Sequence, residues 1–247
     1  TASGLATLKL TISPQKLYIA AQEIESSEDT YVWTNNLLKE HSELKRIIVG
    51  KTVLQKNNYC IEIEKKNIKN AIVLIARQHP PEVPGGTIGF KAFFEELISK
   101  TETAKQFREK FNIYAFPLLN PDGADMGNWR HNANGVDLNR DWKDFIQPET
   151  KMVKEYISDK RTKGNKIKFA LDFHTSYSGP YMLILDSINE LKTKKIIPKW
   201  IKSIESNSSF RTIKRDTTFM AGSDDWDKLE TIFNDALNKQ GHERQSF

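Results

Sequence analysis

Two histidines and a glutamate in this sequence stand just beyond apolar runs. His79 and Glu82, spaced His-x-x-Glu, follow residues 70–76 (NAIVLIA), and His174 follows residues 168–173 (KFALDF). At that spacing past a strand, one imidazole and one carboxylate can curl around a single cation. Pro80 and Pro81 stiffen the intervening loop and remove backbone donors. Taken alone, each residue also fits a plainer role: a solvated loop for His79 and Glu82, and a partly buried histidine satisfied by a backbone group for His174. Together they form a His2Glu set, which binds catalytic zinc at ~2.0–2.2 Å and leaves a further position for water. Only five histidines occur in the chain, and two of them follow apolar strands at matching ends.

A second group lies in a Gly- and Asn-rich stretch: Arg130, then Asp137, Asn139 and Arg140 within GVDLNR. Arginine presents a planar fork that grips a carboxylate through two parallel bonds, although most arginines make only weak surface ion pairs. Asp137 has the chemistry to accept the free N–H of a ligand histidine, or simply to cap a turn.

The elements that must position these groups are legible from periodicity. Residues 5–12 alternate as a strand, either the first of the main sheet or the last of an upstream β domain. Residues 31–41 read weakly as a helix. Residues 46–54 and 59–66 read as a hairpin, with Ile61 and Ile63 alternating against Glu62 and Glu64. The unbroken apolar run 70–76 fits a strand covered on both faces. Residues 87–99 place Phe90, Phe93, Phe94 and Leu97 on one helical stripe. Residues 112–119 are a further apolar run, closed by the turn signal Asn-Pro-Asp-Gly. A helix is expected over 150–161, a strand over 168–173, another over 181–185 and a terminal helix over 227–240. Strands alternating with helices predict an α/β fold: a mixed, mostly buried central β-sheet sandwiched by helices. In such sheets ligands bind beyond the carboxyl ends of the strands, where the polar groups above fall.

Composition narrows the function classes. The 247 residues carry 37 Lys and Arg against 32 Asp and Glu, a net +5 spread along the chain, which is no nucleic-acid stripe. At 38% hydrophobic and 28% charged the chain is ordinary globular sequence. Cys60 is the only cysteine, which excludes a disulfide framework and a cysteine-built zinc site. The longest apolar runs, 71–76 among them, are far short of a membrane span. The chain starts at Thr1, as trimming of a signal or domain leaves it. A periplasmic or secreted location is therefore expected over a cytoplasmic one. Residues 1–27 are expected to be an N-terminal extension or the end of an upstream β domain, and 28–247 the catalytic domain.

Five blocks in order resemble the zinc carboxypeptidases of the carboxypeptidase A type: His79-x-x-Glu82, FPLLNPDG at 116–123, Arg130, GVDLNR at 135–140 and LDFHTS at 171–176. The form GNWR…NGVDLNRDW followed by DFH is most similar to the subgroup of cytosolic carboxypeptidases and their bacterial relatives. The resemblance implies a mixed eight-stranded sheet between helices, with one zinc ion held by His79, Glu82 and His174. It implies that Arg130 polarises the scissile carbonyl and steadies the oxyanion. Asn139 and Arg140 would hold the substrate's terminal carboxylate, and Asp137 would stand behind the first zinc histidine. The substrate would be the C-terminus of a peptide or protein.

One expected part is missing. The family uses a glutamate on a late strand as general base, and Glu190, Glu205, Glu230 and Glu243 all sit poorly for it. Residues 220–225, MAGSDD, leave no room for that strand, and no tyrosine follows Tyr181 to close over substrate. A segment absent from this sequence, a rearranged C-terminus using Glu230 or Glu243, and a relative lacking the base all remain open. So do two other functions: a deacylase of small acyl-amino acids, and a non-catalytic zinc-containing module that binds C-terminal carboxylates.

Overall fold

A computed structural model of the chain describes residues 22–175 continuously, with a few isolated positions on either side. Of the strand expected at 5–12 only residues 9–11 are described, and they are not in a strand; the strand expected at 181–185, the terminal helix at 227–240 and the four late glutamates lie outside the described residues. Helix α1 is Ser27–Glu40. It starts earlier than the periodicity indicates because Ser26 and Asp29 cap it reciprocally: Ser26 Oγ accepts from the Asp29 amide at 3.3 Å, and Asp29 Oδ2 accepts from the Ser26 amide at 2.7 Å. Its buried face is largely Ser27, Thr30 and Thr34, so its apolar signal is weak.

Strands β1 (Lys45–Lys51) and β2 (Asn57–Ile63) form the expected hairpin, with Ile47 opposite Cys60. They are followed by β3 (Asn70–Ala76), α2 (Ile88–Ile98), α3 (Glu102–Arg108), β4 (Asn112–Phe116), α4 (Pro121–Met126), α5 (Pro148–Thr162) and β5 (Lys166–Phe173). The Asn-Pro-Asp-Gly segment is not a bare turn. Asn120 accepts from the Gly123 amide at 2.9 Å and caps α4, with Pro121 in the first turn. Strand β4 also ends at Phe116, three residues short of the apolar run that suggested it.

The described strands make a five-stranded mixed sheet in the order β1-β2-β4-β3-β5. β1, β2 and β4 pair antiparallel, and β3 lies parallel to both β4 and β5. Along β3 the side chains alternate between two cores. Ala71, Val73 and Ile75 join Tyr114, Phe116, Trp142 and Val153 under α5, while Ile72, Leu74 and Ala76 join Phe90, Phe94 and Leu37 under α1 and α2. This is why the run 70–76 shows no polar alternation.

With both faces apolar, burial alone does not penalise a one-residue slip of β3. A polar clamp at the other end of the strands sets the register. Asn112 Nδ2 donates to Ile68 O at 3.0 Å and to Asn165 Oδ1 at 2.9 Å, and Asn112 Oδ1 accepts from the Lys65 amide at 2.9 Å. The resulting register pairs Ala76 with Phe173, so His79 and His174 leave the sheet at the same end. No helix among the described residues is long and apolar enough to cross a membrane.

Candidate metal centre at the carboxyl end of the sheet

Beyond β3 the chain turns sharply at Arg77, which has φ 60°. A positive φ is uncommon for a residue with a side chain. The buried guanidinium holds the turn: Nε donates to Pro80 O at 2.5 Å and Nη2 to Glu25 O at 2.7 Å. Burial away from water pushes the Arg77 pKa down, and the Glu25 carboxylate opposes that. The loop then delivers His79 and Glu82 into the space facing the end of β5.

Closing that space needs glycine. Gly85 has φ 137°, a region L side chains rarely enter. A Cβ on Gly86 would stand 3.2 Å from Phe173 O and 3.3 Å from His174 C, so the two backbones touch. The Gly86 amide donates to Thr175 Oγ1 at 3.0 Å. Gly86→Ala is expected to push the end of β5 away and to destabilise the protein by roughly 1–3 kcal/mol, the range for overpacking. Chemical denaturation checks this, and an unchanged midpoint contradicts the close approach.

Glu82 sits between the two imidazoles. Its Oε1 is 2.8 Å from His79 Nδ1 and its Oε2 is 2.8 Å from His174 Nδ1, and the ring centroids are 5.0 Å apart. One ligand atom from each of the three residues lies within 4.8 Å of the others. Each histidine is backed by its own carboxylate: His79 Nε2 is 2.9 Å from Asp137 Oδ1, and His174 Nε2 is 2.8 Å from Asp172 Oδ2. Asp137 in turn receives Arg130 Nε on Oδ2 at 2.5 Å.

Charge follows the geometry. Burial alone would raise Glu82, but the hydrogen bonds from His174 and His79 win and hold its pKa at about 2. Burial likewise works against Asp137, yet His79 and Arg130 keep it well below the usual carboxylate range. Both histidines are lifted above their ordinary value: the desolvation that would lower them is overcome by Asp137 and Glu82 for His79, and by Asp172 and Glu82 for His174. Divalent zinc would supply the positive charge that Glu82 now draws from the two imidazoles. A carboxylate behind each Nε2 keeps a proton there and leaves the Nδ1 lone pair for a metal. The donor set, two imidazoles and one carboxylate converging from three directions, suits zinc.

Sequence reasoning singled out seven residues, and five of them, His79, Glu82, His174, Asp137 and Arg130, form one connected cluster. Asn139 enters it through its backbone, whose amide donates to Asp137 Oδ1 at 2.9 Å. Its buried Oδ1 has no hydrogen-bond partner among the described residues. Arg140 ends the same short 3-10 turn, Leu138–Arg140, and is exposed. Missed were the roles of Asp172 and Gln78. Asp172 was visible as a carboxylate two residues before His174; Gln78 gave no signal.

Comparison with known proteins places the chain in a family. Residues 30–215, more than half of the chain, match the family model described as zinc carboxypeptidase. The chain is similar to cytosolic carboxypeptidase 6 of Caenorhabditis elegans, 26% identical over 226 residues, covering 87% of this chain and 46% of that protein. It is 36% identical over 106 residues to human cytosolic carboxypeptidase 2, covering 42% of this chain and 12% of that one. The chain thus spans under half the length of these relatives. Among solved structures, the metallo-carboxypeptidase of Pseudomonas aeruginosa superposes with a TM-score of 0.67 at 22% identity, covering 78% of this chain and 53% of its own. That of Burkholderia cenocepacia gives 0.65 at 23%, covering 80% and 56%. At such identities these structures speak for the fold, which they share. The match of the family model, over the stretch that carries all three converging ligands, shows that this chain belongs to the zinc carboxypeptidase family.

Proposed function

We propose that this chain is a zinc-dependent metallocarboxypeptidase that hydrolyses the C-terminal peptide bond of peptides, with one zinc ion held by His79, Glu82 and His174. The observation that carries the proposal is the convergence of those three side chains, with a carboxylate behind each histidine. Zinc there would supply Lewis acidity, acidifying a water to a pKa near 7 and polarising the scissile carbonyl.

The protein's own groups would do the rest. Arg130 is tied to Asp137 through Nε, which leaves its terminal nitrogens to face negative charge growing on the carbonyl oxygen. Asn139 and Arg140 would hold the terminal carboxylate; their turn begins at Asp137, so substrate binding and the rear of His79 share one loop. A guanidinium matches the planar, charged carboxylate of a chain end, which an internal segment does not offer. The carboxylates described around the centre, Glu82, Asp137 and Asp172, are each engaged with a histidine. No general base is assigned among the described residues.

The test is incubation of the zinc-loaded protein with one peptide in two forms, free-ended and C-terminally amidated. Release of terminal residues from the free-ended form only, abolished by chelation and restored by zinc, is expected. Cleavage of short acyl-amino acids but not of either peptide would assign a deacylase. Binding of the free-ended peptide with no cleavage would assign a non-catalytic module.

A further inference from the structure

Behind His174 runs a buried chain of hydrogen bonds whose direction is fixed from its far end. Trp142 and Gln78 are both fully buried. Trp142 Nε1 lies 2.8 Å from Gln78 Oε1, Gln78 Nε2 lies 2.6 Å from Asp172 Oδ2, and Asp172 Oδ2 lies 2.8 Å from His174 Nε2. An indole N–H can only donate. Gln78 must therefore turn its oxygen to Trp142 and its NH2 to Asp172, which removes the usual ambiguity of an amide side chain. Asp172 Oδ2 accepts from that NH2 and stays an acceptor towards His174 Nε2. A proton of the ring is thereby held on Nε2, and Nδ1, which faces Glu82 Oε2 at 2.8 Å, is the nitrogen left to exchange its proton for a metal.

We propose that Gln78, oriented by Trp142 and acting through Asp172, is a positioning residue that sets the tautomer and ring orientation of His174. Gln78 is well placed for this because three loops meet on it. Its side chain joins the segment after Arg140, through Trp142, to the end of β5. Its backbone oxygen accepts from Asn120 Nδ2 at 3.1 Å, and Asn120 also donates to His131 O at 3.1 Å. The other oxygen of Asp172 is buried and has no partner among the described residues, so within them Asp172 is held through Oδ2. Without Gln78 the one tether of that carboxylate among the described residues is the histidine it is meant to orient. The consequence for metal affinity rests on the zinc reading above; the hydrogen-bond direction does not.

The experiment uses the full chain and the variant Gln78→Met, which keeps length and volume but removes both donor and acceptor. Zinc affinity is measured by competition with a chelator, and the His174 ring by nitrogen-15 NMR of histidine-labelled protein, with and without zinc. Loss of a group behind a metal ligand typically weakens affinity 10–100-fold, and about that loss is expected for Gln78→Met. The slowly exchanging Nε2–H of His174 in wild type should become fast or disappear. A residue that only fills space would tolerate the swap. Unchanged affinity together with an unchanged His174 signal in Gln78→Met overturns the proposal. Trp142→Phe, which keeps the ring packing but removes the N–H, should act in the same direction and carries the measurement should Gln78→Met fail to fold. If wild type takes up no zinc, the metal reading fails and the NMR arm decides this one: a freely exchanging His174 Nε2–H in wild type overturns it.

Discussion

Glu82→Gln is expected to abolish stoichiometric zinc binding and, with it, the proposed hydrolysis. The substitution keeps shape and removes charge, so it isolates what the carboxylate does. Glu82 faces both imidazoles at 2.8 Å and is the one anionic member of the three converging ligands. Removing a group behind a ligand costs 10–100-fold in affinity; removing a ligand itself, and the negative charge that balances the ion, should exceed about 100-fold. Wild type should carry close to one zinc per chain by elemental analysis after dialysis, and Glu82→Gln should carry almost none. The comparison with His79→Ala is informative. That variant leaves Asp137 without its imidazole and Glu82 with one histidine, so its metal loss should come with a loss of stability. In Glu82→Gln one imidazole keeps its acceptor and the other, as a neutral ring, can accept from the amide NH2, so the fold should survive better. Retention of a full zinc equivalent by Glu82→Gln at wild-type affinity would place the metal elsewhere.

How much of this was open to a reader of the sequence depends on the range over which each signal acts. Strand β3 was legible because six consecutive apolar residues, 71–76, fit a strand covered on both sides, and its side chains do divide between two cores. The three ligands were legible because each follows such a strand, and because zinc restricts residue types. Short-range chemistry with two outcomes was misread. An Asn side chain accepts from a nearby backbone amide in a turn and at a helix N-cap alike, so Asn-Pro-Asp-Gly looked like a turn and is the start of α4. Helix α3 was not seen because Ala104 is its one buried residue. Ser26 and Asp29 carry a capping signal that the apolar pattern, starting further on, obscured. Gln78 could not be read at all. Its partners Trp142 and Asp172 lie 64 and 94 residues away, and nothing in a lone glutamine between Arg77 and His79 announces them.

Lys160→Met should be the most destabilising of the conservative substitutions on the sheet side of α5. Lys160 places its amine over the Tyr114 and Tyr156 rings, 5.1 Å from each centroid, and 2.6 Å from Glu62 Oε2 and 2.6 Å from Glu64 Oε2. Glu62 is buried, with Tyr156 Oη donating to it at 2.5 Å. Methionine replaces the stem but not the charge, and leaves that carboxylate without a cation. Breaking a buried pair from one side costs about 3–5 kcal/mol, whereas removing both partners together is often close to neutral. Lys160→Met is therefore expected to lose about that much in chemical denaturation, and Lys160→Met with Glu62→Met to recover most of it. A pH series gives the sign independently. Burial by itself would raise Glu64, but Lys160, Tyr114 and Asn165 hold its pKa below 4.5. A carboxylate lowered by folding contributes stability that is full above its unfolded pKa and lost as pH falls through the folded one. The part of the Lys160→Met penalty carried by Glu64 should thus be complete at neutral pH and shrink as the pH is taken below about 4.5, where a carboxylate begins to take up its proton. A penalty that is the same at pH 3 and pH 7 would show that packing, not charge, holds the helix. The centre is linked to this clamp. Helix α5 starts at Pro148, just after the loop in which Asp141 accepts from the Ile146 amide at 3.0 Å and the Gln147 amide at 2.8 Å. That loop carries Trp142 into the core that α5 covers, and Trp142 orients Gln78. Loosening α5 at Lys160 should therefore be felt at His174, at the opposite end of the sheet, as weaker zinc retention in the folded variant.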